Sequence, residues 1–175
     1  DGARSVYAAD LDGDGDMDIL SASRDDDKIA WYENTDGNGS FSSQQVITTN
    51  VDGATSVYAA DLDNDGDMDV LSASVFDAKI AWYENTDGNG NFSGQQVTTN
   101  AAAARSVYAA DLDGDSDLDI LSASRNDGKI AWHENTDGNG SFSSQKVIST
   151  SGAAAAQSVY AADLDGDSDL DVLSA

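Results

Sequence analysis

The chain alternates between short runs of apolar and small residues and longer polar stretches rich in Asp, Asn and Gly. Ser5-Val6-Tyr7-Ala8-Ala9 enters one such stretch and Ile19-Leu20-Ser21-Ala22-Ser23 leaves it, which predicts a hairpin around it. Lys28-Ile29-Ala30-Trp31-Tyr32-Glu33, with its β-branched and aromatic residues, predicts a third strand. Asn34-Thr35-Asp36-Gly37-Asn38-Gly39 carries the Asp-Gly and Asn-Gly dipeptides of hairpin turns, and a fourth strand is expected from Phe41 to about Thr49. No segment places apolar residues at helical spacing. Ala8, Ala9, Ser21, Ala22, Ser23 and Ala30 put small side chains on both faces of their strands, as sheets covered on both sides require.

The pattern repeats. Asp10-Leu11-Asp12-Gly13-Asp14-Gly15-Asp16-Met17-Asp18 returns at 61–69, 111–119 and 163–171, the first aspartates 51, 50 and 52 residues apart (61−10, 111−61, 163−111). Four short antiparallel strands in a unit of this length describe a β-propeller blade. The expected class is therefore all-β, with blade repeats at 1–50, 51–100 and 101–150 and a partial one at 151–175, all in one propeller-type domain. Two such chains would bring eight first hairpins but six second hairpins (2×4 and 2×3), so the segment is expected to be an excerpt of a longer protein. An open array also satisfies the pattern, because stacked repeats need only their neighbours.

Charge sharpens this picture. The chain has 175 residues, 33 acidic against 8 basic, and a formal net charge of −25. Twenty of the 33 acids sit in the four repeated loops, five in each, so the charge is local and periodic rather than spread along a solvating tail. Such a field disfavours nucleic acid and anionic membranes as partners, since both need Lys and Arg against phosphate. No apolar run approaches the roughly 20 residues that cross a bilayer. The chain has no Cys, which excludes disulfides, thiol catalysis and Cys-ligated zinc. It also has no Pro, for which the sequence offers no physical reason.

Five carboxylates in nine residues repel one another unless a cation lies between them. Calcium takes six to eight oxygens at about 2.3–2.6 Å, and a loop this rich in carboxylates suits it better than magnesium, which keeps waters and strict octahedral geometry. Loop positions 1, 3, 5 and 9 can converge on one ion through their side chains, and position 7 through its backbone carbonyl with its side chain outward. The candidate ligands are Asp10, Asp12, Asp14, Asp16 and Asp18; Asp61, Asp63, Asp65, Asp67 and Asp69; Asp111, Asp113, Asp115, Asp117 and Asp119; and Asp163, Asp165, Asp167, Asp169 and Asp171. About four calcium ions per chain are expected, one per loop. An EF-hand would need Glu at position 12, which is Ser21, and flanking helices. Gly15 and Gly66 allow a positive φ at position 6, where the other loops carry Ser116 and Ser168; those two sites are expected to bind more weakly.

These loops, with the Ala-Asp before them and the Asp-Ile-Leu or Asp-Val-Leu that closes them, resemble the VCBS/FG-GAP repeat family, which includes the calcium-binding blades of integrin α-subunits. The resemblance extends over essentially the whole chain and implies a β-propeller with calcium between the first two strands of each blade. Carried over by position, it implies the same aspartate ligands. With no Pro, the literal Gly-Ala-Pro of the FG-GAP signature is missing, so the bacterial VCBS type is the nearer likeness.

Other features carry less. Trp31, Trp82 and Trp132 recur at one position of each unit, where blade-to-blade packing is the expected role and sugar stacking the alternative. Asp36, Asp87 and Asp137 open turns that need no ion. His133, the one histidine, replaces the Tyr32 and Tyr83 of other units and has no matching partner for acid–base work. The sequons at Asn38, Asn91 and Asn139 are expected to be unused. The acidic loops and the Asp-Gly-Asn-Gly turns should share one end of the fold. Segments 24–27, 75–78 and 125–128, with connections 50–55, 100–105 and 151–157, vary between units at the other, and varied loops on a rigid frame suit recognition as well as neutral drift.

The functional expectation is a secreted or cell-surface bacterial scaffold, stabilised by calcium, that serves adhesion through protein or glycan partners and neighbouring repeats. No catalytic residue is assigned. The alternatives are a carbohydrate-binding lectin or the non-catalytic propeller part of a polysaccharide-degrading enzyme.

Overall fold

The computed structural model describes residues 2–150 and 155–175. The last variable connection, 151–157, therefore lies outside the described residues up to 154. The first sheet runs β1 (Ala3–Ala9), β2 (Asp18–Ser23), β3 (Lys28–Tyr32) and β4 (Gln45–Thr48), each strand antiparallel to the one before. The second is β5 (Ala54–Ala60), β6 (Asp69–Ser74), β7 (Lys79–Asn85) and β8 (Phe92–Thr98). The third is β9 (Ala104–Ala110), β10 (Asp119–Ser124), β11 (Lys129–His133) and β12 (Lys146–Ser149), followed by a pair, β13 (Val159–Ala162) and β14 (Asp171–Ser174). These are propeller-like blades with no helix among the described residues.

First strands of successive sheets lie side by side. Their tyrosines form a ladder, Tyr7 to Tyr58, Tyr58 to Tyr108 and Tyr108 to Tyr160, with ring centroids 4.7, 4.8 and 4.7 Å apart. The core fills the space between sheets: Leu20, Ile29 and Trp31 of the first cluster with Val57, Ala59 and Val70 of the second sheet. The small residues are what allow such close stacking. Ala22, Ala73 and Ala123 are fully buried.

Two details differ from expectation. In the first and third sheets the fourth strand starts late, at Gln45 and Lys146, and Phe41 and Phe142 make only isolated bridges to Asn34 and Asn135. The Ser42 and Ser143 hydroxyls accept the amides of Glu33 and Glu134 and so interrupt the ladder. In the second sheet Ser93 turns its hydroxyl to Glu84 instead, and the ladder runs on to Asn85 opposite Phe92. The other difference is a register shift near the start of β1, β5 and β9, which leaves Arg4, Thr55 and Arg105 as bulge residues.

Candidate metal centres

Each acidic loop is held by its own carboxylates. In the first, Asp10 Oδ2 accepts the Gly15 amide at 3.0 Å, Asp14 Oδ1 accepts the Asp16 amide at 2.9 Å, and Asp18 Oδ2 accepts the Leu11 amide at 2.9 Å. The closing turn demands positive φ at position 6, which is 93° at Gly15 and 96° at Gly66. Ser116 and Ser168 adopt it too, at 79° and 78°, against the cost of a β-carbon there. Position 4 also sits at positive φ, as Gly13, Asn64, Gly114 and Gly166, a demand not read from the sequence.

The folding of the loop gathers three carboxylates with oxygens within 4.8 Å of one another: Asp10, Asp12 and Asp18; Asp61, Asp63 and Asp69; Asp111, Asp113 and Asp115; Asp163, Asp165 and Asp171. Positions 1, 3 and 9 thus meet in three loops and 1, 3 and 5 in the third. Asp14, Asp65 and Asp167 stand outside their trios and accept the amide two residues on. Asp119 stands outside its trio as well.

The position 7 side chains stand outside the carboxylate trios, as a backbone role for that residue requires. The carboxylates of Asp16, Asp67 and Asp117 turn to the neighbouring Asp-Gly-Asn-Gly turn. They lie against the α-carbons of Gly37, Gly88 and Gly138, where a β-carbon would fall 2.4, 2.6 and 2.6 Å from a carboxylate oxygen.

Position 9 is an anchor as much as a candidate ligand. Asp18, Asp69 and Asp119 are fully buried, and each also accepts the amide of Asn34, Asn85 or Asn135, at 2.8, 2.8 and 2.9 Å. Burial pushes the Asp69 carboxyl up to about 7 and Asp119 up to about 6, despite these donors. Burial, then Asp18 and Asp14, raise Asp12; burial, then Asp65, raise Asp63. Desolvation and like charge therefore both disfavour the ionised loops on their own. Asp10 Oδ1 and Asp63 Oδ1 are buried with no hydrogen-bond partner. Buried oxygens left over in a trio of carboxylates fit a hard divalent cation.

The turns behave differently. Asp36 takes the Asn38 and Ser40 amides and the Ser40 hydroxyl at 2.9, 3.1 and 2.7 Å, which hold its carboxyl below the usual range. Its oxygens are already committed within the turn.

Sequence reasoning missed a set of asparagines. Asn85 Nδ2 donates to Leu11 O of the preceding blade at 3.0 Å, while its Oδ1 accepts the Gly90 amide at 3.2 Å. Asn135 Nδ2 reaches Leu62 O in the same way, at 2.8 Å. The signal was present: Asn follows Glu at this position of every complete unit. Each links the loop of one blade to the turn of the next. Trp31 and Trp82 pack at the same junctions, edge-on to Phe92 and Phe142 at 6.5 and 6.0 Å, and are 3% and 4% exposed. His133 is buried; its Nδ1 lies 3.1 Å from Ser143 O and its Nε2 has no partner.

FG-GAP-like repeats match the chain at residues 10–72, 67–122 and 111–174. No curated protein matches it at a significant level. Among solved structures, an Agrocybe aegerita lectin, studied for specific recognition of non-reducing terminal N-acetylglucosamine, is 23% identical with a TM-score of 0.60, over 83% of this chain and 38% of that one. The V. cholerae biofilm matrix protein Bap1 is 22% identical with a TM-score of 0.56, over 99% of this chain and 28% of that one. A Bacillus licheniformis rhamnogalacturonan lyase is 14% identical with a TM-score of 0.59, over 98% of this chain and 39% of that one. The chain thus spans less than half of each of these proteins, and the likeness is one of fold. With three matched repeats reaching from residue 10 to residue 174, the chain belongs to the FG-GAP-like repeat family.

Proposed function

We propose that this chain is a calcium-stabilised extracellular scaffold of a bacterial surface, serving adhesion through protein or glycan partners. The observation that carries the calcium reading is the pair of buried, unpartnered oxygens on Asp10 and Asp63, each within a trio of carboxylates. The proposed ligands are positions 1, 3, 5 and 9 of each loop, with the backbone carbonyl of position 7. Bound calcium would supply the charge that lets these carboxylates ionise together. The protein's own part is to fix the loop through backbone amides and to tie it to the next blade through Asn85 and Asn135. With an ion held at each loop, the array that presents a partner surface would be stiffer, and no catalytic step is assigned to the loops. The matrix protein and the lectin of similar fold support this reading.

Calorimetric titration with calcium, beside thermal melts with and without a chelator, tests it. Near four sites per chain and a large loss of melting temperature on chelation are expected. Absence of binding, or melting indifferent to chelator, would remove the basis of the proposal.

A lectin reading has one observation in its favour. A groove of about 360 Å³ lies at the first blade junction, lined by Trp31, Gln45, Gly90, Asn91 and Phe92 among others. Trp31 is nearly covered there and offers little ring for stacking. Titration with N-acetylglucosamine, followed by tryptophan fluorescence, separates the two: a saturable change favours the lectin.

A further inference from the structure

The basic residues of this protein gather at one end of the strands. Arg4, Arg24, Arg105, Arg125, Lys28, Lys79 and Lys129 lie at the end opposite the acidic loops, beside Asp25, Asp26, Asp27, Asp52, Asp77 and Asp127, which leaves Lys146 as the remaining basic residue. The three lysines at the basic end are matched, pairing with Asp26, Asp77 and Asp127 at 3.3, 3.0 and 3.0 Å. Asp27 is taken by the Gly53 amide at 2.8 Å. The arginines are not matched: none forms an ion pair among the described residues. In a chain with 33 acidic residues this is unexpected.

Their placement follows from the bulges. Arg4, Thr55 and Arg105 are the bulge residues of three adjacent first strands, so they project at one point of successive blades. Thr55 spends its hydroxyl on the carbonyl oxygens of Ala73 and Ala104, at 3.1 and 2.9 Å, and so fills the gap between the two arginines without charge. Arg24 and Arg125 follow β2 and β10 beside them, their amides held by Gly2 O and Ala103 O. Arg24 also stacks on Phe76 of the next blade, 5.0 Å from the ring centre. Burial and the Arg125, Arg24 and Arg4 guanidiniums all pull the Arg105 pKa down, so the four charges act on one another. Arg105 Nε is buried and has no hydrogen-bond partner.

We infer that Arg105, with Arg4, Arg24 and Arg125 around it, forms a binding site for a compact oxyanion at the end opposite the acidic loops. An unpaired guanidinium presents a planar fork that carboxylate and sulfate groups fill with paired hydrogen bonds. An N–H that is buried without a protein acceptor calls for an acceptor from outside. The ligand is a group carrying one carboxylate or sulfate rather than an extended polyanion, because a net charge of −25 repels a long anionic chain from the rest of the surface. The site is independent of the calcium reading, since no aspartate of the loops takes part in it.

The test uses the whole chain at fixed calcium and fixed ionic strength, titrated with sodium sulfate and separately with sodium glucuronate against chloride. Arginine Nε–H resonances report on the site. A saturable shift of the Arg105 signal with either anion supports the proposal, and the tighter of the two shows which oxyanion the site takes. Arg125→Gln, on an exposed loop where folding is not at stake, should weaken binding about tenfold. Lys146→Gln, the same charge loss at the other end, should leave it unchanged. No saturable shift with either anion, or equal weakening by the two variants, would overturn the inference.

Discussion

At the scale of single residues, the junctions rest on polar side chains with few substitutes. Asn85 is buried, donates across the blade boundary to Leu11 O and accepts from Gly90 within its own turn. Asn85→Ala leaves a buried carbonyl and a half-buried amide without partners, each worth roughly 1–3 kcal/mol. The expected loss is about 3 kcal/mol in urea denaturation with calcium present, and an effect under about 0.5 kcal/mol would show that water replaces the latch. His133 gives a pH prediction. Burial lowers its pKa, so the unfolded chain takes up the proton first as pH falls. Its contribution to stability is full above the unfolded value of about 6.5 and is lost as pH drops below it. His133→Tyr restores the residue found at positions 32 and 83, where Tyr83 meets the Ser72 hydroxyl at 3.2 Å. Wild type should lose more melting temperature between pH 7.5 and 5 than the variant does. Equal losses would mean that His133 is charged in the fold.

At the scale of elements, loop and turn act as one device, because the turn glycine leaves room for the position 7 carboxylate. Gly90→Ala would set a β-carbon 2.4 Å from the Trp31 indole, at a φ of 78°, so the ring must shift and the backbone is strained. Overpacking of this kind costs roughly 1–3 kcal/mol, read as a drop in urea midpoint at unchanged slope. Ser116→Gly works in the opposite sense. Removing a β-carbon at φ 79° relieves about 1–2 kcal/mol, and because the loop orders around its ion, the relief should appear as calcium affinity roughly 5–30 times tighter at that site. Calorimetry that finds the affinity unchanged would place the strain in both states alike. The elements themselves were legible in sequence for a simple reason: each hairpin is local and each is written several times over. Spacing pointed to carboxylates gathering within each loop, but not to which three meet: position 5 stands outside the trio in three loops and position 9 in the other. What escaped the sequence spans blades. Asn85 meets Leu11 across 74 residues, and Arg4, Thr55 and Arg105 line up only through bulges that no dipeptide marks. The late start of β4 hangs on which way one serine hydroxyl turns.

At the scale of the molecule, stability is distributed by neighbours. Calcium at ten times its dissociation constant stabilises a site by about 1.4 kcal/mol, and four sites by about 6 kcal/mol, comparable to the whole stability of a domain. That support is not felt equally along the array. Val57, Val107 and Val159 are 5%, 4% and 5% exposed, but Val6, at the same position of the first blade, is 68% exposed. Leu11 and Leu62 are 0% and 1% exposed, and Leu164, their counterpart in the last pair, is 62% exposed. In a repeat array each unit is held by its own core and by the interfaces on either side, so the blades with two covered faces should open last. Amide hydrogen exchange in calcium should therefore find β6 and β10, buried along their whole length, the slowest. The β13–β14 pair should exchange first, and β1 before β5. Chelation should steepen the gradient, since the crowded loops then oppose each blade separately. Uniform protection would mean that the sheets unfold as one cooperative body.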